Sequence, residues 1–344
     1  MEAYKSILII KMSSLGDVLH ALPTLCALRQ NLPYARIVWA VHEKFAALLP
    51  GKPYIDEVVY IDKKRLKSPT YICELRRRFK PYHFDLSVDL QGLAKSAIVA
   101  FAGGAKRKVG YWEMREGSFL VSKGLAGAHK KDHVIERYLD VVRCLGGKAE
   151  ALEFPLASVE DERLRMSKRL KEKTGGKPYV AVVPGTRGAV KEWPLAYWRD
   201  LVCRITNTGV YAVILGSTDD VPKGAAIASL PSPDRVVDLT GQTTLKELTA
   251  VIADASLFIS VDTGPLHLAN ALKKELIALY GPSSPDRTGP YGGKDASYIH
   301  ILISPASKAT VDTPLLDDPD CMARLTVDSV WNVYTSLMEK KDRD

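Results

Sequence analysis

Short apolar runs that break into a polar turn and resume with helical spacing recur along the whole chain, and this alternation limits the fold more than any other feature. The first instance is Ser6-Ile-Leu-Ile-Ile-Lys11, then Met12-Ser-Ser-Leu-Gly-Asp17, then leucines at 15, 19, 22, 25 and 28. It reads as strand, loop, helix, the opening of an α/β unit. Strand-like segments follow at 36–41, 57–61, 86–89 and 108–110, with helical stretches between most of them. A turn-rich segment at 149–158, a charged helix at 159–173 and Gly175-Gly176 then interrupt the series. A second series begins at 179–183 and continues at 212–215, 236–239, 257–261 and 275–279. Strands that alternate with helices form parallel sheets covered on both faces. The sequence therefore predicts two doubly wound α/β domains facing a cleft, over 1–155 and 156–322. The apolar stripe of Val330, Trp331, Tyr334 and Leu337 predicts a final helix within 323–344 that packs back on the first domain.

Composition narrows the setting. Five scattered cysteines without paired or metal-type spacing fit free thiols in a reducing compartment. The longest apolar runs fall far short of the ~20 residues needed to span a bilayer, and no cleavable signal opens the chain. A soluble, cytoplasmic protein is expected. The net charge of +8 is concentrated in basic clusters at 63–65, 76–78, 106–108 and 130–131. Such clusters fit solvated surface, or a face for nucleic acid, a phosphorylated glycan or an acidic membrane. No nucleic-acid-binding motif accompanies the charge, so nucleic acid is the least favoured partner.

Open α/β sheets bind ligands at the carboxyl ends of their strands, so the turns there hold the candidate site residues. Asp17 stands where a dinucleotide-binding protein would carry glycines, which suggests chemistry on a neutral hydroxyl. Ser14-Leu-Gly-Asp17 is also a capping box, and the local pattern alone favours that role. The two roles are compatible, because helix N–H groups hold a carboxylate ionised and able to take a proton. In Ser260-Val-Asp-Thr-Gly264-Pro-Leu-His267 an apolar strand ends in Asp262-Thr263-Gly264, and Pro265 opens a helix. That arrangement is an anion site or an ordinary capped turn. The loop Pro184-Gly-Thr186-Arg-Gly-Ala-Val-Lys191 offers backbone donors, a hydroxyl and cations suited to a diphosphate, without the Walker pattern. Trp193 and Trp198 read as packing residues, and the Gly/Pro-rich stretch 281–292 as a rigid loop after a strand. No glycine fingerprint of a nicotinamide or flavin protein follows any strand, and no metal-ligand spacing is present. The other six histidines read as structural or surface residues.

Together these stretches resemble the lipopolysaccharide heptosyltransferase family, glycosyltransferase family 9. The segments at 11–23 and Val88-Asp-Leu-Gln-Gly-Leu-Ala-Lys-Ser96 resemble its heptosyltransferase I branch, while 191–194, 260–267 and 281–292 match the wider family. The resemblance implies a GT-B fold, with acceptor on the first Rossmann-like domain and nucleotide-sugar on the second. It implies inverting, metal-independent transfer of heptose from ADP-heptose to the Kdo sugars of nascent lipid A, without a cofactor. It makes Asp17 the general base and places Ser14, Gly16, Gln91 and Arg115 near the acceptor. It makes Thr186, Lys191, Thr263 and Gly264 diphosphate ligands, Asp262 an acceptor of a sugar hydroxyl and His267 a neighbour of the phosphates. Asp220, in Gly216-Ser-Thr-Asp-Asp220, takes the acidic ribose position. Such an enzyme is expected to meet its acceptor as a peripheral protein at the cytoplasmic face of the inner membrane.

Overall fold

The computed structural model describes residues 3–150, 152–229, 233–292, 296–313 and 315–341. Residue 151, in the expected turn-rich segment, and residues 342–344, at the end of the expected last helix, lie outside the described residues. The chain divides into two compact units, Met1–Ser158 and Val159–Asp344.

The first unit holds β1 (Ser6–Ile10), β2 (Arg36–Val41), β3 (Glu57–Tyr60), β4 (Leu86–Asp89), β5 (Arg107–Tyr111) and β6 (Lys123–Leu125). They form one parallel sheet in the order β3-β2-β1-β4-β5-β6. The second unit holds β7 (Tyr179–Val183), β8 (Tyr211–Ile214), β9 (Val236–Asp238), β10 (Leu257–Val261), β11 (Leu276–Tyr280) and β12 (Ile299–Ile303). Its parallel sheet runs β12-β11-β10-β7-β8-β9. Numbered within its own unit, each sheet has the strand order 3-2-1-4-5-6 of a doubly wound Rossmann fold, read from one edge or the other. The order reverses at β1/β4 in one unit and at β7/β10 in the other, and a ligand crevice is expected at each reversal.

Burial explains why the central strands were so legible. Every residue of β1, β4, β7, β10 and β11 is buried, so each must be apolar or small on both faces, Asp89 at the end of β4 excepted. The edge strands β6 and β12 carry no such run. β6 is the largely exposed Lys-Gly-Leu, and β12 is only partly buried and contains His300. The leucine series after Asp17 forms two helices, Leu15–His20 and Leu22–Asn31, because Pro23 in the second supplies no N–H to continue the first.

The last helix, Val327–Lys341, corrects the expectation that it returns to the first domain. Its buried residues Val327, Val330 and Tyr334 belong to the second unit's core, with Trp198, Leu201 and Leu279. It lies on the helix Leu195–Asn207 and on β11 and β12. The segment before it is tied to the same unit, since Trp193 Nε1 donates to the Leu325 carbonyl at 2.8 Å and Ser304 Oγ to that of Cys321 at 2.6 Å. Among the described residues no helix is long and apolar enough to cross a membrane.

Candidate active site

In the first unit the chemistry gathers at the β1/β4 reversal. The loop leaving β1 is fixed from β4, because Gln91 Oε1 accepts the N–H groups of Met12 and Ser13 at 3.1 and 3.2 Å. Gln91 is itself placed by the buried Asp89, whose Oδ1 accepts the N–H groups of Gln91 and Gly92, both at 2.9 Å, while Oδ2 accepts the Ser96 hydroxyl. Burial pushes the Asp89 carboxyl up, against the pull of those hydrogen bonds. Gly92, at φ +66°, is needed at this turn, since a Cβ would press on the Glu113 carbonyl and the Tyr111 ring at 3.0 Å.

The loop delivers Asp17 to the first turn of the helix Leu15–His20. Asp17 Oδ2 accepts both the Ser14 N–H at 2.9 Å and the Ser14 hydroxyl at 2.6 Å. The capping-box contact is therefore present, and it orients the carboxylate. Its side chain stays 43% exposed and can meet a solute. Sequence reasoning missed the group behind it. Lys11 is 2% exposed, donates to the Leu90 carbonyl and Tyr138 hydroxyl at 2.7 Å, and holds its ammonium 3.6 Å from Asp17 Oδ1. A lysine that ends an apolar strand, directly before a polar turn, was the available signal. Lys63 also reaches this loop, donating to Ser13 Oγ at 3.0 Å.

Of the other expected acceptor residues, Gly16 is buried in the short helix, and Arg115 is exposed on the loop after β5. The Arg115 N–H donates to the Gly92 carbonyl at 2.8 Å, which joins its loop to that of Gln91. The basic clusters are not all at this end of the sheet. Lys106, Arg107 and Lys108 lie at the amino end of β5, where they meet Asp85, the Tyr4 hydroxyl and the Ala105 carbonyl.

In the second unit the expected donor residues converge at the β7/β10 reversal. From the loop after β7, Lys191 Nζ lies 2.7 Å from Asp262 Oδ2, and the Thr186 hydroxyl donates to the Asp262 carbonyl at 2.9 Å. His267 Nε2 is 3.7 Å from Asp262 Oδ1, and the buried Tyr280 hydroxyl donates to the same oxygen at 3.4 Å. Burial alone would raise the Asp262 carboxyl, yet His267 and the Lys191 ammonium outweigh it and hold it well below the ordinary carboxylate range. Thr263 caps the helix Gly264–Ala271 in extended conformation, with Pro265 in its first turn. The leading N–H groups of a helix have no intrahelical partner, and with the dipole they favour an anion.

Asp220 joins this group from the turn after β8. Its Oδ2 accepts the Ser217 N–H at 2.8 Å and hydroxyl at 2.7 Å. It lies so close over Gly185 that a Cβ there would sit 1.9 Å from Asp220 Oδ1. Lys223, also missed from sequence, bridges Glu192 and Asp220. Trp193 is 2% exposed and edge-on to Trp198 at 5.1 Å, as expected of packing. Most of the remaining histidines serve local structure: His42 and His133 cap helices, while His129 and His300 pair with Asp132 and Glu275.

The family model described as glycosyltransferase family 9 (heptosyltransferase) matches residues 72–313. The chain is 30% identical over 308 residues to the lipopolysaccharide heptosyltransferase 1 of Pseudomonas aeruginosa, covering 86% of this chain and 83% of that one. It is 31% identical over 299 residues to the lipopolysaccharide heptosyltransferase 1 of Salmonella typhimurium, covering 83% and 91%. Its fold is similar to that of E. coli heptosyltransferase WaaC solved with ADP-2-deoxy-2-fluoro heptose, at TM-score 0.73 and 24% identity, covering 96% and 99%. With carboxylates and cations at both topological reversals of a GT-B pair of sheets, the chain is a glycosyltransferase and belongs to glycosyltransferase family 9, the heptosyltransferases.

Proposed function

We propose that the chain transfers heptose from ADP-L-glycero-D-manno-heptose to a Kdo sugar of Kdo-lipid A, as a heptosyltransferase I, with inversion and without a metal. The observation that carries this reading is Asp17, oriented by Ser14, backed by Lys11 and still open to solvent at the end of β1. The donor half rests on Lys191, Thr186 and the helix N-terminus at Thr263-Gly264, groups suited to a diphosphate. A relative solved with an ADP-heptose analogue supports the nucleotide, and the heptosyltransferase 1 relatives support the branch.

In the proposed reaction the acceptor hydroxyl attacks the anomeric carbon as Asp17 takes its proton. The new C–O bond forms while the bond to the β-phosphate oxygen breaks, and the electron pair leaves with ADP. A carboxylate is a weak base, so the proton moves late, once the attacking oxygen has become acidic. Lys191 and the N–H groups at Thr263 and Gly264 neutralise the charge that grows on the diphosphate, often the largest catalytic contribution. Asp220 holds the ribose, Asp262 a sugar hydroxyl, and His267 lies by the phosphates. Gln91 and Arg115 serve the anionic acceptor. The enzyme works as a peripheral protein at the cytoplasmic face of the inner membrane, where a lipid acceptor would be found.

The test is mass-spectrometric detection of transfer with purified protein, ADP-heptose or UDP-sugars, and Kdo-lipid A. ADP-heptose should support transfer, and Asp17→Ala should lower it by about 100- to 10,000-fold with donor binding retained. Transfer from a UDP-sugar alone would reject the heptose assignment. Transfer only to an acceptor already bearing heptose would make the chain a second heptosyltransferase. Unchanged turnover in Asp17→Ala would remove the base from the mechanism.

A further inference from the structure

The first unit carries an apolar patch that the proposed reaction leaves without a role. Phe119 and Leu120 are 61% and 81% exposed in the single turn Ser118–Leu120, and Phe101 is 53% exposed on the helix Ala94–Gly103. The turn lies against that helix, so the three belong to adjoining elements. Scattered exposed hydrophobics are ordinary, whereas large ones gathered on neighbouring elements mark an interaction surface. One cation touches the patch and two more stand on or beside its elements, as does the carboxylate of Glu116, which accepts the Ala94 N–H at 3.2 Å. The Arg76 guanidinium is 5.7 Å from the centre of the Phe101 ring, Lys95 is exposed on the same helix as Phe101, and exposed Lys123 opens β6 just after the turn. Among the described residues none of these three cations is ion-paired.

We propose that this face docks on an anionic phospholipid bilayer, with Phe119 and Leu120 entering the interfacial layer and the three cations meeting lipid phosphates. Protruding apolar side chains with a basic surround are the composition that binds such surfaces. A second copy of the chain is a poor occupant, because a two-fold contact through this patch would set its cations against their own copies. The proposal rests on the reading of the acceptor as a lipid. The loop bearing Phe119 runs from the carboxyl end of β5 to the amino end of the parallel strand β6, and the turn Ser118–Leu120 stands just before β6, while Phe101 lies near the end of its helix.

The test is co-sedimentation of the full chain with vesicles of phosphatidylglycerol and phosphatidylethanolamine, compared with phosphatidylcholine alone. The parent should bind the anionic vesicles, and added salt should weaken that binding. The pair Phe119→Ser and Leu120→Ser should lower binding by about tenfold or more. Replacing Arg76, Lys95 and Lys123 with Gln should lower it by roughly fivefold per charge. Both variants should melt as the parent does and still transfer sugar to a deacylated, water-soluble acceptor. Absence of vesicle binding in the parent, or parent-like binding in both variants, would overturn the proposal. So would a dimer in sedimentation velocity that the Phe119 and Leu120 changes dissociate, with vesicle binding untouched. Loss of transfer to every acceptor, with vesicle binding intact and sensitive to the patch, would reject the reaction and leave the surface standing.

Discussion

The ammonium of Lys11 lies 3.6 Å from Asp17 Oδ1, buried to 2% exposure behind a carboxylate that is itself 43% exposed. The asymmetry gives the pair a direction. Lys11 cannot leave, because Leu90 and Tyr138 hold two of its protons. Asp17 faces outward, with Ser14 on its other oxygen. A carboxylate held from both sides is fixed in orientation without being closed off, which suits a base that must meet a bulky acceptor.

Replacing Lys11 with Met isolates that effect. Methionine keeps the length and removes the charge, so no uncompensated ion is left inside. The Leu90 carbonyl and Tyr138 hydroxyl each lose their donor, at a cost of about 1–3 kcal/mol. The expected result is a folded protein with a lower melting temperature, donor affinity unchanged by calorimetry, and kcat reduced by about 10- to 100-fold. An unchanged kcat would show that Asp17 keeps its orientation without the ammonium.

The close approach of Asp220 to Gly185 makes a second prediction. A methyl at Gly185 would sit 1.9 Å from Asp220 Oδ1, and that carboxylate is anchored through its other oxygen by Ser217. Gly185→Ala should therefore displace Asp220 and destabilise the fold by about 1–3 kcal/mol, the usual cost of overpacking. If Asp220 holds the ribose, donor KM should rise by about tenfold or more while kcat changes little. Adding Asp220→Ala to Gly185→Ala should restore the melting temperature but not the donor KM. Recovery of both would show that Asp220 does not contact the donor.

The fold was legible because its central strands are buried on both faces. Runs such as Ser6–Ile10 and Leu257–Val261 had no polar alternative. β6 and β12 gave no such signal, because an edge strand need not be apolar throughout. Residues that begin a helix after a strand, such as Asp17 and Thr263, were legible through turn chemistry. Tyr280 was not, since nothing local distinguishes a tyrosine that faces a carboxylate from one that faces core, and Lys11 carried only the signal of its place between an apolar strand and a polar turn, which does not name Asp17 as its partner. The destination of the last helix was equally hidden. Its apolar stripe shows that it packs, while its partners depend on where Trp198 and Leu279 lie in space.

That destination is measurable. Tyr334 is 2% exposed in the second unit's core, so Tyr334→Ala should destabilise by about 3–5 kcal/mol, as for other large aromatic truncations. Hydrogen exchange should show where the loss falls. Protection should drop in β11, β12 and the helix Leu195–Asn207, while β1 and β4 retain theirs. Loss confined to the first sheet would restore the idea that this helix serves the first unit.

The ion pair of Lys191 and Asp262 predicts a particular pH dependence. The Asp262 carboxyl is held well below the ordinary range: burial opposes this, and His267 and Lys191 prevail. A carboxylate depressed in the folded state binds fewer protons there than in the unfolded chain. Its contribution to stability is therefore complete above the unfolded value near pH 4, and is lost progressively as pH falls toward the folded one. Asp262→Asn removes that contribution and leaves Lys191, which is 24% exposed and so partly rehydrated. The variant should be less stable than the parent at pH 7 by about 3 kcal/mol or less. The gap should narrow from about pH 4 downward. Asp89, which burial shifts in the opposite sense, is present in both proteins and cancels from the difference. Urea unfolding of the two proteins at pH 7, 5 and 3 measures it. A gap that stays constant across that range would mean that Asp262 is not the ionised partner of Lys191, and the diphosphate-binding role proposed for Lys191 would need a different anchor.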